Sequence, residues 1–112
     1  MKSIVHLCSN KESDAAQEVG FYLPESIQIE GFIHCSRPEQ VVRVANLFYP
    51  NANNMVLLWI DPEKLTAELR WESADGYVYP HIYGPLNMDA VISIVKFYPD
   101  PDGVFRAQPT LV

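Results

Sequence analysis

The chain has 112 residues, enough for one domain with a real core but not for two. Its 48% hydrophobic content and two tryptophans favour a packed globule over disorder. Eight basic against fourteen acidic residues leave a net charge of −6, which repels nucleic-acid backbones at long range and argues against general DNA or RNA binding, while a local basic pocket could still hold a small phosphate ligand.

The opening residues Met1-Lys2-Ser3-Ile4 carry no basic leader followed by a long apolar run, so neither a signal peptide nor a membrane span is expected, and a cytoplasmic location follows. Ile4-Val5-His6-Leu7 reads as a first strand. Ser9-x-x-Glu12 is a capping-box pattern that starts a short helix, Lys11 to Val19, closed by Gly20. Phe21 to Glu30 contains Pro24 and reads as a connecting loop. Phe32 to Cys35 reads as a second strand. Ser36-Arg37-Pro38-Glu39 then has the form of a helix start, with Ser36 as N-cap, and Val41, Val44, Ala45 and Phe48 follow as one apolar stripe.

Tyr49 to Asn54 ends that helix in a polar loop. Met55 to Ile60 is apolar without alternation, as a strand buried on both faces requires. Asp61-Pro62-Glu63 caps a short helical turn. Leu69 to Glu72 and Tyr77 to Tyr83 flank Asp75-Gly76 as a hairpin, and Val91 to Phe97 is a last strand before the turn at Pro99 to Gly103. The expected fold is α+β, with about six strands and two helices in a single domain over residues 1–112, its core spanning about 3–106. The chain is expected as a monomer or a homodimer, since no heptad or interface stripe is visible.

Residues at i and i+2 of a strand share a face. On that rule His6 pairs with Cys8, His34 with Ser36, Arg70 with Glu72, and His81 with Tyr83, while Leu7, Trp71 and Ile82 turn into the core. If these strand ends converge they form a cleft of imidazoles, a guanidinium, a carboxylate and a phenol, suited to an anionic small molecule and to proton transfer near neutral pH. Each residue also has a structural reading. A strand histidine satisfies a buried hydrogen bond, Arg70 and Glu72 form a surface ion pair, and Tyr83 anchors the turn at Gly84-Pro85. Cys8 and Cys35 read as free thiols, and alternation turns Cys35 away from His34, which argues against a His34–Cys35 dyad. Three histidines plus Cys8 could complete a zinc site, but no ligand pair has helical or short-loop spacing, so no metal ligands are assigned. Gly-rich phosphate loops are absent from the sequence, which leaves side chains or a helix N-terminus to hold any phosphate.

Five blocks occur in order: "GFIHCS" with "PEQVVRVAN" (Pro38 to Asn46), "VLLWID" (Val56 to Asp61), "LRWE" (Leu69 to Glu72) and "YPHIYGPLNMDAV" (Tyr79 to Val91). With them the chain resembles, from Ile4 to Phe105, the family catalogued as domain of unknown function 952. That family is distantly similar to the ADP-ribosyltransferase superfamily, whose split, mostly antiparallel sheet grips nicotinamide adenine dinucleotide. The resemblance implies that fold, and NAD or ADP-ribose as the ligand of an ADP-ribosyltransferase-like transferase or glycohydrolase. It also implies roles, with His6 or His34 at the adenosine-side ribose, Tyr83 stacked on nicotinamide and Glu72 on the ribose hydroxyls. His81 stands where the superfamily usually has a late-strand Glu, which leaves plain binding, or RNA 2′-phosphate chemistry of the His-dependent branch, as options. The catalytic candidates are thus His34, His81, Tyr83 and Glu72, and the ligand-binding candidates His6, Ser36 and Arg70. A non-catalytic binding module and a metal-dependent hydrolase are the competing readings.

Overall fold

A strand that is apolar at every position needs cover on both sides, and the fold is built around that need. In the computed structural model, which describes residues 2–111, the strand Met55–Ile60 (β4) is buried at all six positions. It lies between Ile4–Ser9 (β1) and Val91–Lys96 (β8), antiparallel to both. Alternation splits its side chains between two apolar clusters. Met55, Leu57 and Trp59 join Val5, Leu7, Phe97 and Phe105 beneath the helix Val41–Phe48 (α3), which contributes Val41 and Ala45. Val56, Leu58 and Ile60 join Ile4, Cys8, Ile33, Cys35, Ile82 and Leu86 on the opposite side.

The second cluster is the interface with another sheet. Ile33–His34 (β3), Tyr77–Tyr83 (β6) and Glu68–Ala74 (β5) pair antiparallel in the order β3-β6-β5. The sheets meet at a corner where Val5 and Ser36 exchange both backbone hydrogen bonds, each at 2.8 Å. Asp75 and Gly76 adopt φ of 52° and 81°, the two positive values of a type I′ turn, and this fixes Ala74 opposite Tyr77. The sheets are thus antiparallel, and the fold is of the α+β class that the sequence predicts.

The helix Asn10–Val19 (α1) opens on the expected reciprocal cap: Glu12 N–H donates to Ser9 Oγ at 3.1 Å, and Ser9 N–H donates to Glu12 Oε1 at 2.9 Å. Gly20 closes it in the left-handed region at φ 99°.

Several expectations need correction. The segment read as a loop contains a short strand, Phe21–Tyr22 (β2), paired with Leu86–Asn87 (β7), and a five-residue helix, Ser26–Glu30 (α2). The described residues therefore hold eight strands and three α-helices rather than six and two. Ser36 is not an N-cap, because its backbone is held by Val5. The chain turns one residue later, where Arg37 N–H donates to Gln40 Oε1 at 2.9 Å and a 3-10 turn at Pro38–Gln40 precedes α3. Trp71 is 48% exposed rather than buried, since the far half of the β5–β6 hairpin projects past the first sheet's cover. Phe48 is exposed as well, beyond the buried part of its helix stripe.

Leu57→Ala, in the fully buried centre of β4, is expected to cost about 2–5 kcal/mol by denaturant unfolding, whereas Ser9→Ala costs about 1 kcal/mol through the lost cap. A Leu57→Ala cost no larger than that of Ser9→Ala would contradict the central placement of β4.

Candidate functional site

The hairpin register decides which polar side chains meet. Along β6, Tyr77, Tyr79, His81 and Tyr83 alternate with Val78, Pro80 and Ile82, and Ile82 is fully buried against the first sheet. The tyrosines and His81 therefore line the outer face. Across the pair, Arg70 lies opposite His81, Glu72 opposite Tyr79 and Glu68 opposite Tyr83. On the other side His34 lies opposite His81, with Ile33 opposite Ile82. The imidazoles of His34 and His81 consequently stand edge to face, 5.3 Å between centroids.

Phe32 joins the same face two residues before His34. Its ring stacks on His81 at 4.2 Å with an interplanar angle of 21°, and lies 4.8 Å from His34 and 5.2 Å from Tyr83. This residue was missed in the sequence, although the same i, i+2 rule that places His34 also places Phe32 beside it.

Glu72 is the hub. One carboxylate oxygen, Oε1, accepts from His81 Nδ1 at 2.8 Å and from the Tyr83 hydroxyl at 2.5 Å. An ionised carboxylate only accepts, so the proton of a neutral His81 sits on Nδ1 and the Nε2 lone pair is bare. Nε2 has no protein partner, and the His81 side chain is 8% exposed. The Tyr83 bond first, and the His81 bond second, hold the Glu72 carboxyl below its usual range. The same bond to Glu72 raises the Tyr83 phenol, which stays protonated.

Arg70 does not pair with Glu72, the partner expected from sequence. Its Nε and Nη2 donate to the two carboxylate oxygens of Glu68 at 2.9 and 3.0 Å, and its guanidinium lies 4.1 Å from the Tyr83 ring centroid. His34 is half exposed, and its Nε2 meets Glu30 Oε1 at 2.8 Å. Glu30 ends α2 and was also missed, because that helix is too short to show a period.

His6 and Ser36 stand apart from this face. Ser36 is buried in the corner with Val5. Both ring nitrogens of His6 are taken by the protein: Nδ1 by the His34 carbonyl at 2.5 Å and Nε2 by the Tyr22 hydroxyl at 2.9 Å. A carbonyl accepts, so Nδ1 donates to it and Nε2 accepts from Tyr22. Burial lowers the His6 pKa to about 4, so the ring is neutral at pH 7 and braces the backbone of His34 from behind. Cys8 and Cys35 are free and buried; burial pushes Cys8 up to about 12 and raises Cys35 too, so neither thiol ionises at neutral pH.

The rim of the polar face is exposed at His34, Arg70 and Glu68, whereas His81 at its centre is buried, 7% exposed. Two hollows lie elsewhere, one between Asn51 and Tyr98–Gly103, the other between Gln17, Met88 and Val91–Ile94. Among the described residues no three His, Cys, Asp or Glu side chains converge as a metal-ligand set, and no helix is long and apolar enough to cross a membrane.

Residues 7–94 match the family described as "Protein of unknown function (DUF952)". The crystal structure of protein CC0527 from Caulobacter crescentus is similar, with 34% identity and a TM-score of 0.84, the match covering 93% of each chain. The solution NMR structure of CC0527 is similar at 33% identity and a TM-score of 0.81, covering 95% of this chain and 93% of that one. No curated protein matches.

Unfolded His6 takes up its proton near pH 6.5 and folded His6 only near 4, so the unfolded state binds more protons in that window and stability falls as pH drops through it. The full effect is roughly 3 kcal/mol. Denaturant unfolding at pH 7, 5.5 and 4 is expected to show a shallower acid loss for His6→Gln than for wild type; equal slopes would contradict a neutral, half-buried His6. Separately, Glu72→Gln is expected to return the Tyr83 phenol toward pH 10, followed by the aromatic carbon shifts of Tyr83, and an unchanged titration would remove the hub role of Glu72.

Proposed function

We propose, from the premise that this chain belongs to the DUF952 family, that its outer sheet face binds a nucleotide-type ligand, NAD or its ADP-ribose part, and acts on it as a glycohydrolase or ADP-ribosyl transferase. The observation that carries this reading is the convergence of Phe32, His34, His81 and Tyr83 within about one ring's width, with Glu72 bridging His81 and Tyr83.

The chemistry of these groups suits such a ligand. Phe32 and Tyr83 offer rings for stacking. Arg70, rigid between Glu68 and Tyr83, keeps guanidinium donors for a phosphate. His34, the most accessible imidazole of the group, meets ribose or phosphate once Glu30 gives way. His81 Nε2 accepts from a ribose hydroxyl, and Glu72 Oε2, which has no protein partner, accepts from another. Breaking a ribosyl N-glycosidic bond develops positive charge on the sugar, and the ionised Glu72 carboxylate supplies the opposite charge on that face. His81 and Tyr83 then hold the leaving group in line.

One observation favours a second reading, a binding module without turnover. His34, Arg70 and Glu68 at the rim of the face are about half exposed, whereas small-molecule enzymes usually enclose most of their ligand.

Thermal shift against NAD and ADP-ribose, with nicotinamide release measured alongside, separates the two. A ligand at a hundred times its Kd stabilises the fold by about 2.7 kcal/mol. The expected result is a saturable shift that His81→Asn and His34→Ala each reduce at least tenfold in apparent affinity, with nicotinamide released by wild type only. A shift without release selects the binding module. No shift with either compound, or variants that keep the wild-type response, would overturn the nucleotide reading.

A further inference from the structure

The same outer face continues past His81 toward the hairpin turn, where an arginine from another element has been drawn onto it. Arg43 projects from α3. Its guanidinium lies 4.2 Å from the ring centroid of Tyr77, and Nη1 donates to the Tyr79 hydroxyl at 2.9 Å. Tyr77 and Tyr79 precede His81 by four and two residues on one strand face, and their rings are 6.2 Å apart.

The charge of Arg43 is the informative part. Arg37, Arg70 and Arg106 each sit within 3.0 Å of a carboxylate. Among the described residues Arg43 has no such partner, in a chain with fourteen acidic residues available. It is nevertheless held still, by stacking on one tyrosine and donating to the next. A guanidinium carries five N–H donors in a fixed fork, and the single bond to Tyr79 leaves the others to meet an oxyanion. Tyr77 is 44% exposed, so a ring is offered beside those donors.

We propose that Arg43, Tyr77 and Tyr79 form a second anion subsite, which takes a phosphate or comparable oxyanion on the far arm of an elongated ligand whose near end lies at His34 and His81. The inference rests on the nucleotide reading above. Four residues of strand separate Tyr77 from His81, roughly 13 Å. The ligand class is therefore one of two linked units, each with a flat ring or a phosphate, rather than a single mononucleotide. The pairing of a stacked cation with a half-exposed tyrosine selects an aryl group next to the distal anion.

The test compares adenosine monophosphate with diadenosine pyrophosphate in calorimetric titrations. Wild type is expected to bind the longer compound about tenfold more tightly. Arg43→Gln removes that advantage and leaves the affinity for the monophosphate unchanged, while Arg43→Lys, which keeps the charge but loses the fork, retains part of it; His81→Asn weakens both compounds. An Arg43→Gln variant that weakens both equally, or neither, overturns the subsite. A second readout needs no variant and no nucleotide. Inorganic pyrophosphate titrated into wild type is expected to shift the Arg43 Nε–H resonance saturably while that of Arg106, tied to Asp100 and Asp102, stays in place. If neither adenosine compound binds wild type, the nucleotide reading fails, and the Arg43 resonance still decides the subsite: no response to pyrophosphate, or an equal response at Arg106, rejects it.

Discussion

Two residues of strand set the geometry of the outer face. β3 contains only Ile33 and His34, yet its pairing with Ile82 and His81 determines on which side of the sheet both imidazoles stand. Side-chain period in a strand is two, so a slip of one residue would bury His34 and expose Ile33. The register is held from the apolar side. Ile33 and Ile82 are fully buried and share a cluster with β4. Burying each isoleucine is worth about 1.5–3 kcal/mol, more than a polar contact on the open face supplies. Hydrophobic burial inside thus orients the chemistry outside.

On that face the carboxylates act as organisers more than as free charges. Glu72 joins β5 to β6 by accepting from His81 and Tyr83, and so selects one histidine tautomer and one tyrosine rotamer. Glu30 meets His34, and Glu68 holds Arg70 against the ring of Tyr83. Behind them His6 ties Tyr22 to the carbonyl of His34. Each imidazole in the chain is therefore fixed through at least one nitrogen, and apart from the His34–Glu30 contact the side chains meet a ligand with little left to reorganise. The depressed titration of Glu72 keeps the hub intact above the ordinary carboxylate range; its contribution to stability is lost only as pH falls through that lowered value.

Much of this was legible in the sequence, for identifiable reasons. The two-sided burial of β4 follows from an unbroken apolar run, α1 from a reciprocal cap, and the hairpin from Asp75-Gly76. The side of its strand that each of His34, His81, Tyr83, Glu72 and Arg70 takes follows from alternation, while their meeting depends on β3 pairing with β6, which no local pattern shows. The rest depended on contacts that leave no local period. β2, β3 and β7 have two residues each, too few to alternate, and α2 has five, too few to show a helical face. Ser36 carries the chemistry of a cap, but a tertiary bridge to Val5 overrides it and moves the turn to Arg37. His6 resembled a site residue because composition alone cannot tell a ring facing solvent from one braced between Tyr22 and a carbonyl. Arg43 lies within the apolar-striped helix, and its place against Tyr77 comes from packing between elements far apart in sequence.

Nitrogen–proton correlation of the imidazoles at pH 7, with ring-to-ring nuclear Overhauser contacts, probes the shared face most directly. The arrangement requires His81 to carry its proton on Nδ1, with contacts from the Phe32 ring to both His34 and His81. A neutral His81 protonated on Nε2 alone, or the absence of contacts between Phe32 and either imidazole, would contradict it.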